Sequence, residues 1–192
     1  MKTASWPLIG IPEPAAAPLD SAAELRAALE RHHADCLGWA MACCGFDRSE
    51  ASDVLQDSYL KVLDGRAVFR GDSSFRTWLF GVIRRTASEH RRNVVRRIAA
   101  LWRVRQDDVI TREAPDVEAA LDGREIAVRL RKALRELPLR QRQVLHLVFQ
   151  EELSVEAAAG VMGISVGSAR THYARGKARL HQLLSVGGSR HD

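Results

Sequence analysis

Apolar side chains recur at intervals of three and four residues along most of this chain, from Ser21 to about Leu184. This spacing puts them on one face of an α-helix, whereas a half-buried strand would need them to alternate. No alternating pattern longer than four residues occurs. The sequence therefore predicts an all-α fold, in which glycine and proline residues mark the ends of the helices.

The predicted helices form two groups, and we expect each group to be a small helical domain. The first covers residues 21–97 and the second residues 123–185, and an apolar content of 46% is enough for two such cores. Residues 98–122 lose the helical spacing, which predicts a flexible linker. The proline-rich residues 1–20 are predicted to be a flexible arm, and residues 186–192 a short tail.

Charge is placed in blocks that the net charge of +5 conceals. Residues 65–105 hold eleven arginines and two acidic residues, whereas residues 20–64 hold nine acidic and four basic residues. Residues 137–192 are basic again, with seven basic and four acidic residues. Two basic segments, each on a predicted helix, favour two contacts with a nucleic acid over two solvated helix faces.

The segment LSVEAAAGVMGISVGSARTHYARGKARL, residues 153–180, has the spacing of a helix-turn-helix motif. Gly163 permits the positive φ that the turn needs, and Ser165 can cap the second helix. An ordinary helical hairpin with a basic face is the less favoured alternative. The second helix is predicted to contact DNA. Arg170 can bond guanine edges or phosphate, whereas Lys177 is expected to contact phosphate. The candidate contacts are Ser168, Arg170, Thr171, His172, Arg175 and Lys177.

A predicted helix near residues 48–64 carries two different faces. Its core face comprises Val54, Leu55, Tyr59, Val62 and Leu63. Its second face comprises Asp53, Gln56, Asp57, Leu60 and Asp64, and we call the first four of these residues the docking stripe. A leucine among acidic residues suits a helix that docks on a basic, partly apolar partner helix. A solvated acidic face with one exposed leucine would look the same, and spacing alone leaves the two alternatives equal.

Three stretches of the chain together resemble a known family: DVLQDSYLKVL, FRGDSSFRTWLFGVIRRTASEHRR and LRELPLRQRQVLHLVFQEELSVEAAAGVMGISVGSARTHYARGKARL. They resemble, in order and spacing, regions 2 and 4 of the extracytoplasmic-function (ECF) group of bacterial RNA polymerase sigma factors. The resemblance covers about residues 21–97 and 123–185. It implies a protein that binds core RNA polymerase, directs it to the −35 and −10 elements of promoters and assists promoter melting.

The resemblance also implies roles for particular surfaces. The docking stripe would bind the coiled coil of the polymerase β′ subunit. The last helix would enter the major groove of the −35 element, its flank would contact the β flap, and the linker would pass near the RNA exit path. An anti-sigma factor is a further implied partner. Contacts with the −10 element are implied for Arg84, Arg85, Arg91 and Arg92.

Promoter opening also calls for aromatic side chains on which unpaired bases can stack. Phe75, Trp78 and Phe80 are nearby in the sequence, but we expect most of them to belong to the core, because Phe75 and Trp78 lie on the apolar stripe. Many family members carry asparagine where this chain has Arg85. An arginine there can contact phosphate or stack on a base instead.

The histidines and cysteines between His32 and Cys44 allow a metal or thiol sensor as a minor alternative. Four ligands on one straight helix cannot surround a tetrahedral ion, so we expect Cys36, Cys43 and Cys44 to be buried as small apolar residues. No catalytic constellation, cofactor motif, signal peptide or membrane span is evident in the sequence. We expect a cytoplasmic protein that is not an enzyme; a dimeric helix-turn-helix regulator acting alone is the alternative function.

Overall fold

The computed structural model describes residues 21–102 and 123–186, and the sequence-based expectations for 1–20, 103–122 and 187–192 lie outside these ranges. The two ranges contain helices and no strand, which confirms the all-α prediction. No helix in them is long and apolar enough to cross a membrane. The helices are α1 (Ala22–Arg31), α2 (His33–Cys43), α3 (Arg48–Leu63), α4 (Phe75–Trp102), α5 (Gly123–Arg135), α6 (Leu139–Phe149), α7 (Val155–Met162) and α8 (Val166–Val186).

Side-chain caps begin several of these helices, because the first amides of a helix lack partners within it. The Ser21 hydroxyl accepts a hydrogen bond from the Glu24 amide at 3.1 Å, and the Glu24 carboxylate accepts one from the Ser21 amide. The Asp47 carboxylate accepts from the Glu50 amide at 2.9 Å. These bonds explain where α1 and α3 start.

Apolar residues keep the helical spacing from Ser21 to about Cys44, which predicts one continuous helix, but the structure divides this stretch into two helices. The backbone of His32 leaves helical geometry at φ −100° and ψ 11°, so that α1 ends there and α2 begins. No glycine or proline marks the break. The His32 ring lies 6.3 Å from the Phe75 ring, between centroids, so the residue at the break packs against α4.

Helix α4 also differs from its expected length. It continues to Trp102, so residues 98–102 of the predicted linker are helical. Its first turns bury Leu79, Phe80 and Ile83 completely. The Trp39 indole of α2 donates a hydrogen bond to the Phe80 carbonyl at 2.9 Å, which satisfies its polar atom in the core of the first group.

The second group of helices is built around a close approach of α8 to α6. Gly176 is buried, and a Cβ atom added to it would lie 3.2 Å from Cβ of Gln141 and from a methyl carbon of Leu145. Glycine at this position therefore sets the separation of the two helices. The short helix α7 packs against both of them.

The two groups of helices pack against each other. Helix α6 lies on α2 and helix α7 lies on α4. Val144, Leu147, Val161 and Met162 of the second group belong to the same buried cluster as Trp39 of the first. We call this contact of α6 and α7 with α2 and α4 the seam. One continuous core thus joins the two groups of helices.

Candidate nucleic-acid and protein interfaces

A tight turn joins α7 to α8. Gly163 has φ 57° and ψ 45°, the left-handed conformation that the sequence predicted for it. The Gly163 amide donates to the Gly160 carbonyl at 3.0 Å, and the Ile164 amide donates to the Ala159 carbonyl at 3.1 Å. These two bonds complete a Schellman-type end to α7. The angle between α7 and α8 is therefore fixed by the backbone, as a helix-turn-helix motif requires.

The start of α8 is capped and leaves its outer face open. The Ser165 hydroxyl accepts a hydrogen bond from the Ser168 amide at 3.2 Å, as predicted, and Ala169 is completely buried. Of the candidate DNA contacts, only His172 is half-buried. The exposed ones are Ser168, Arg170, Thr171, Arg175 and Lys177.

Arg170 has a partner that sequence reasoning missed. Its Nη2 donates to the Glu156 carboxylate of α7 at 2.7 Å, and this bond is the largest of the effects that lower the pKa of Glu156. The two residues are too far apart in the chain for helical spacing to reveal the pair. Glu156 orients the guanidinium while its other nitrogens remain available to a ligand. A second missed contact is the stacking of Phe149 on Tyr173, with centroids 5.8 Å apart.

The docking stripe lies on the outer face of α3. Asp53, Gln56, Asp57 and Leu60 are all exposed, and 44% of the Leu60 surface is open to solvent. The opposite face of the helix is buried through Ala51, Val54, Leu55, Ser58 and Val62. The structure therefore brings the four stripe residues together on one open surface.

Leu63 is an exception to the expected core face of α3, because 43% of its surface is exposed. It lies at the end of the helix, where Gly65 turns the chain away with φ 68°. Val68, just beyond this turn, is 61% exposed. Because Leu63 lies one helical turn from Leu60, the apolar part of this surface is larger than Leu60 alone, which sequence spacing did not reveal.

The four candidate arginines of α4 differ in exposure. Arg85 and Arg92 are exposed, whereas Arg84 and Arg91 are half-buried. Arg91 Nη1 donates to the Cys43 carbonyl at 3.0 Å, so this side chain also caps α2. Arg85 Nε contacts the Glu89 carboxylate at 3.2 Å.

Glu89 holds a second cation besides Arg85. Lys61 Nζ lies 2.7 Å from the Glu89 carboxylate and 3.0 Å from the Thr86 hydroxyl. Burial favours the neutral acid, but the bond from Lys61 and the smaller effect of Arg85 outweigh it, so the pKa of Glu89 is lowered. This network ties α3 to α4 beside the basic surface.

The aromatic side chains of α4 are mostly core residues, as expected. Phe75 and Phe80 are buried, and Trp78 is partly buried. Phe69, Phe75 and Trp78 form a cluster with ring centroids 5.4 to 5.5 Å apart. These rings stabilise the first group of helices rather than lining an open surface.

The cysteines are all buried free thiols. Burial raises the pKa of Cys36 and of Cys43 to about 12, and it raises that of Cys44 still further. Thiols in this state are poor nucleophiles and poor metal ligands at neutral pH. Within residues 21–102 and 123–186, no three histidine, cysteine or acidic side chains cluster closely enough to hold a metal ion.

Comparison with known proteins shows the family to which the chain belongs. A model described as Sigma-70 region 2 matches residues 28–97, and one described as Sigma-70, region 4 matches residues 127–180. The RNA polymerase sigma-H factor of Pseudomonas aeruginosa is 31% identical over 151 residues, which cover 72% of this chain and 75% of that protein. The chain belongs to the ECF group of the sigma-70 family.

Other sigma factors support the same assignment. The RNA polymerase sigma factor YlaC of Bacillus subtilis is 31% identical over 137 residues, covering 70% of this chain and 78% of that protein. The fold matches the sigma factor RpoE from Bartonella quintana, solved with the anti-sigma factor NepR. That match has a TM-score of 0.67 and 24% identity, and it covers 85% of this chain and 98% of RpoE. CnrH, solved with the cytosolic domain of CnrY, matches with a TM-score of 0.59 and 23% identity over 87% of this chain and 91% of CnrH.

Membership of this family confirms the function that the sequence motifs implied. The chain is a transcription initiation factor that binds core RNA polymerase and directs it to promoters. Sigma factors are in general not enzymes. The alternative of a dimeric regulator that acts without polymerase is not favoured, because the region 2 match spans helices that such a regulator does not need.

Proposed function

We propose that this sigma factor docks on the coiled coil of the polymerase β′ subunit through the docking stripe of α3. The exposure of all four stripe residues is the observation that carries the proposal. Exposed acids around Leu60, with Leu63 one helical turn away, suit a partner helix that is basic and partly apolar. Electrostatic attraction speeds the encounter, and burial of the apolar side chains holds the complex.

The outer face of α8 is the proposed reader of the −35 element. Its serine, arginine, threonine and lysine side chains face solvent beyond the fixed turn at Gly163. Arg170, held by Glu156, is the candidate for base edges, and Arg175 and Lys177 are candidates for phosphate. The flank of this domain would contact the β flap.

The basic surface of α4 is the proposed contact with the −10 element. Arg85 and Arg92 are open to the single strand, whereas Arg84 and Arg91 are half-buried and would contribute charge near the backbone. Because Phe75 and Phe80 belong to the core, captured bases would have to stack elsewhere. Arg85, where many relatives carry asparagine, could stack on a base once it leaves Glu89.

We infer that the chain acts in the cytoplasm, where the polymerase is, and that it catalyses no reaction of its own. RpoE and CnrH were solved with NepR and with the cytosolic domain of CnrY. By analogy, we infer that an anti-sigma factor also binds this chain. The segment between α4 and α5 would pass near the RNA exit path of the polymerase.

Co-elution with bacterial core RNA polymerase on size exclusion tests the docking proposal. The wild-type chain should co-elute in a one-to-one complex, and Asp57→Arg should not, because the reversal repels a basic partner. Glu30→Arg is a matched control, since it reverses an exposed acid on α1, outside the stripe. Circular dichroism should show an unchanged fold for both variants. If Asp57→Arg co-eluted with the polymerase as the wild-type chain does, the proposal that the docking stripe binds the polymerase would be refuted.

A further inference from the structure

Arg170 differs from the other candidate DNA contacts of α8 in its bonding. The Thr171 hydroxyl donates to the Gly167 carbonyl at 3.0 Å, so its bond lies within α8 itself. Arg170, by contrast, donates to the Glu156 carboxylate of α7 at 2.7 Å. The orientation of this arginine therefore depends on the other helix of the helix-turn-helix motif.

Glu156 is fixed at the start of α7. The Ser154 hydroxyl caps this helix by accepting a hydrogen bond from the Ala157 amide at 3.1 Å, and Glu156 lies in the first turn. The free amides of a first turn carry partial positive charge, which favours a carboxylate. The bond from Arg170 and then the bond from its own backbone amide lower the pKa of Glu156. Glu156 is therefore a charged and anchored partner at neutral pH.

The ion pair leaves most of the arginine open to a ligand. The Arg170 side chain is 68% exposed, whereas that of Glu156 is 32% exposed. A guanidinium has several N–H donors in a planar fork, and Glu156 takes only the donor on Nη2 that faces α7. Guanine presents O6 and N7 side by side in the major groove, and a guanidinium can bond both at once. The open edge of Arg170 thus fits a guanine.

An arginine on a DNA-reading helix has two competing targets. The phosphates attract it strongly, because both partners are charged and the bond can be bidentate. Most hydrogen bonds between proteins and DNA in fact go to phosphate and sugar, and these carry no sequence information. An unrestrained Arg170 would therefore contribute mainly affinity for any DNA, and some further group must direct it to a base.

The Glu156 carboxylate has the charge and the place to direct Arg170 to a base. The first helix of a helix-turn-helix motif crosses the DNA backbone, so the start of α7 faces the phosphates. A carboxylate there repels a phosphate and offsets the positive charge of Arg170. The edge of guanine has no net charge, so the same repulsion does not act on it. Glu156 therefore disfavours the phosphate contact of Arg170 more than its guanine contact.

We propose that Glu156 is a positioning residue that determines specificity for the −35 element: it holds Arg170 toward a guanine and away from the phosphates. Glu156 acts through Arg170 and need not contact a base itself. This inference rests on the proposed reading of the −35 element by α8. It adds to that proposal the base that Arg170 selects and the residue that enforces the selection.

A promoter library with a randomised −35 element measures the selection directly. The full chain is combined with core RNA polymerase, and sequencing of the bound DNA gives the base preference at each position. The wild-type chain should prefer guanine at one position, on either strand, and Arg170→Ala should reduce this preference by about 5- to 150-fold. Glu156→Gln should reduce the preference for the same guanine by at least about threefold, because the freed arginine turns to phosphate.

The salt dependence of binding to duplex DNA without promoter sequence tests the second half of the proposal. The free full chain suffices here, because Arg170 is exposed in it. Glu156→Gln should bind this DNA more tightly than the wild-type chain does. The plot of log K against log salt concentration should also become steeper by about 0.9, the value for one added phosphate contact.

Two comparisons separate positioning from the mere loss of a charge or of a stabilising bond. Glu152→Gln is the matched control, since it removes an exposed acid just before α7 that is not the partner of Arg170, and it should keep the wild-type guanine preference. In an Arg170→Ala background, Glu156→Gln should change the base preference no further, because Glu156 acts through Arg170. A purely structural bond between α7 and α8 would instead lower Tm and weaken binding to all sequences alike.

An unchanged guanine preference in Glu156→Gln would overturn the proposal, and so would an equal loss in Glu152→Gln. Circular dichroism checks the fold of each variant, and Glu156→Ala decides if Glu156→Gln does not fold. If Arg170→Ala relaxes one position and the Glu156 variants do not, the positioning role alone fails. If Arg170→Ala changes the preference at no position, the proposed base reading by Arg170 fails as well.

Discussion

The packing of α8 on α6 leaves no space for a side chain at Gly176, and the substitution Gly176→Ala measures that constraint. Alanine in a helix interior is favoured over glycine by about 1 kcal/mol. Against this, the added Cβ would lie 3.2 to 3.3 Å from carbons of Gln141 and Leu145. Overpacking of a buried contact costs about 1–3 kcal/mol. We expect the packing cost to win and the free energy of unfolding to fall by about 1 kcal/mol.

Thermal unfolding followed by circular dichroism is the assay, with Gly81→Ala as the matched control. Gly81 is inside α4, and nothing lies within 4 Å of its Cβ position. Gly81→Ala should raise Tm by about 3 °C, and Gly176→Ala should lower it by about 3 °C, because 1 kcal/mol shifts Tm by about 2–4 °C at this chain length. Equal stabilisation by both variants would refute the close approach of α8 to α6.

Three further predictions concern DNA recognition, pH dependence and thiol chemistry. Arg170→Ala should weaken discrimination at one position of the −35 element by about 1–3 kcal/mol in binding assays on promoter variants; a uniform loss on all sequences would mean that Arg170 contacts only phosphate. The lowered pKa of Glu89 stabilises the fold above its ordinary value of 4.5, and this contribution is lost as pH falls through the folded-state pKa. In the Lys61→Met variant, Tm should therefore depend less steeply on pH at acidic pH. An unchanged dependence would argue against the ion pair between Lys61 and Glu89. Cys36 and Cys43 should react with a thiol reagent at neutral pH only after unfolding, and rapid reaction of the native chain would contradict their burial.

Predictions from the sequence were most accurate for features that depend on residues close together in the chain. The cap at Ser165 and the left-handed turn at Gly163 were predicted correctly, because each is a bond or a backbone angle within a few residues. The docking stripe was likewise predicted as a set and lies on one exposed face. The placement of Leu63 was wrong, because the helix ends there and the regular spacing no longer decides burial.

Contacts distant in sequence were not predictable from helical spacing. His32, at the break between α1 and α2, packs near Phe75 of α4, and the partner of Arg170 is on the preceding helix. Similarly, the role of Arg91 in capping α2 follows from the way the helices meet. Such pairs leave no periodic signal, because the spacing of one helix records only that a face is covered and not by what.

Local patterns in the chain are sufficient to assign the helical class, the position of most helices, the turn before α8 and the family motifs. Periodicity and caps act within one or two helical turns, so they can be seen in a linear chain. The tertiary structure alone decided that the two groups of helices share one core. Arg142, Gln143 and Glu151 look like ordinary surface residues in the sequence, and only their partners on α2 and α4 make them the buried centre of the seam.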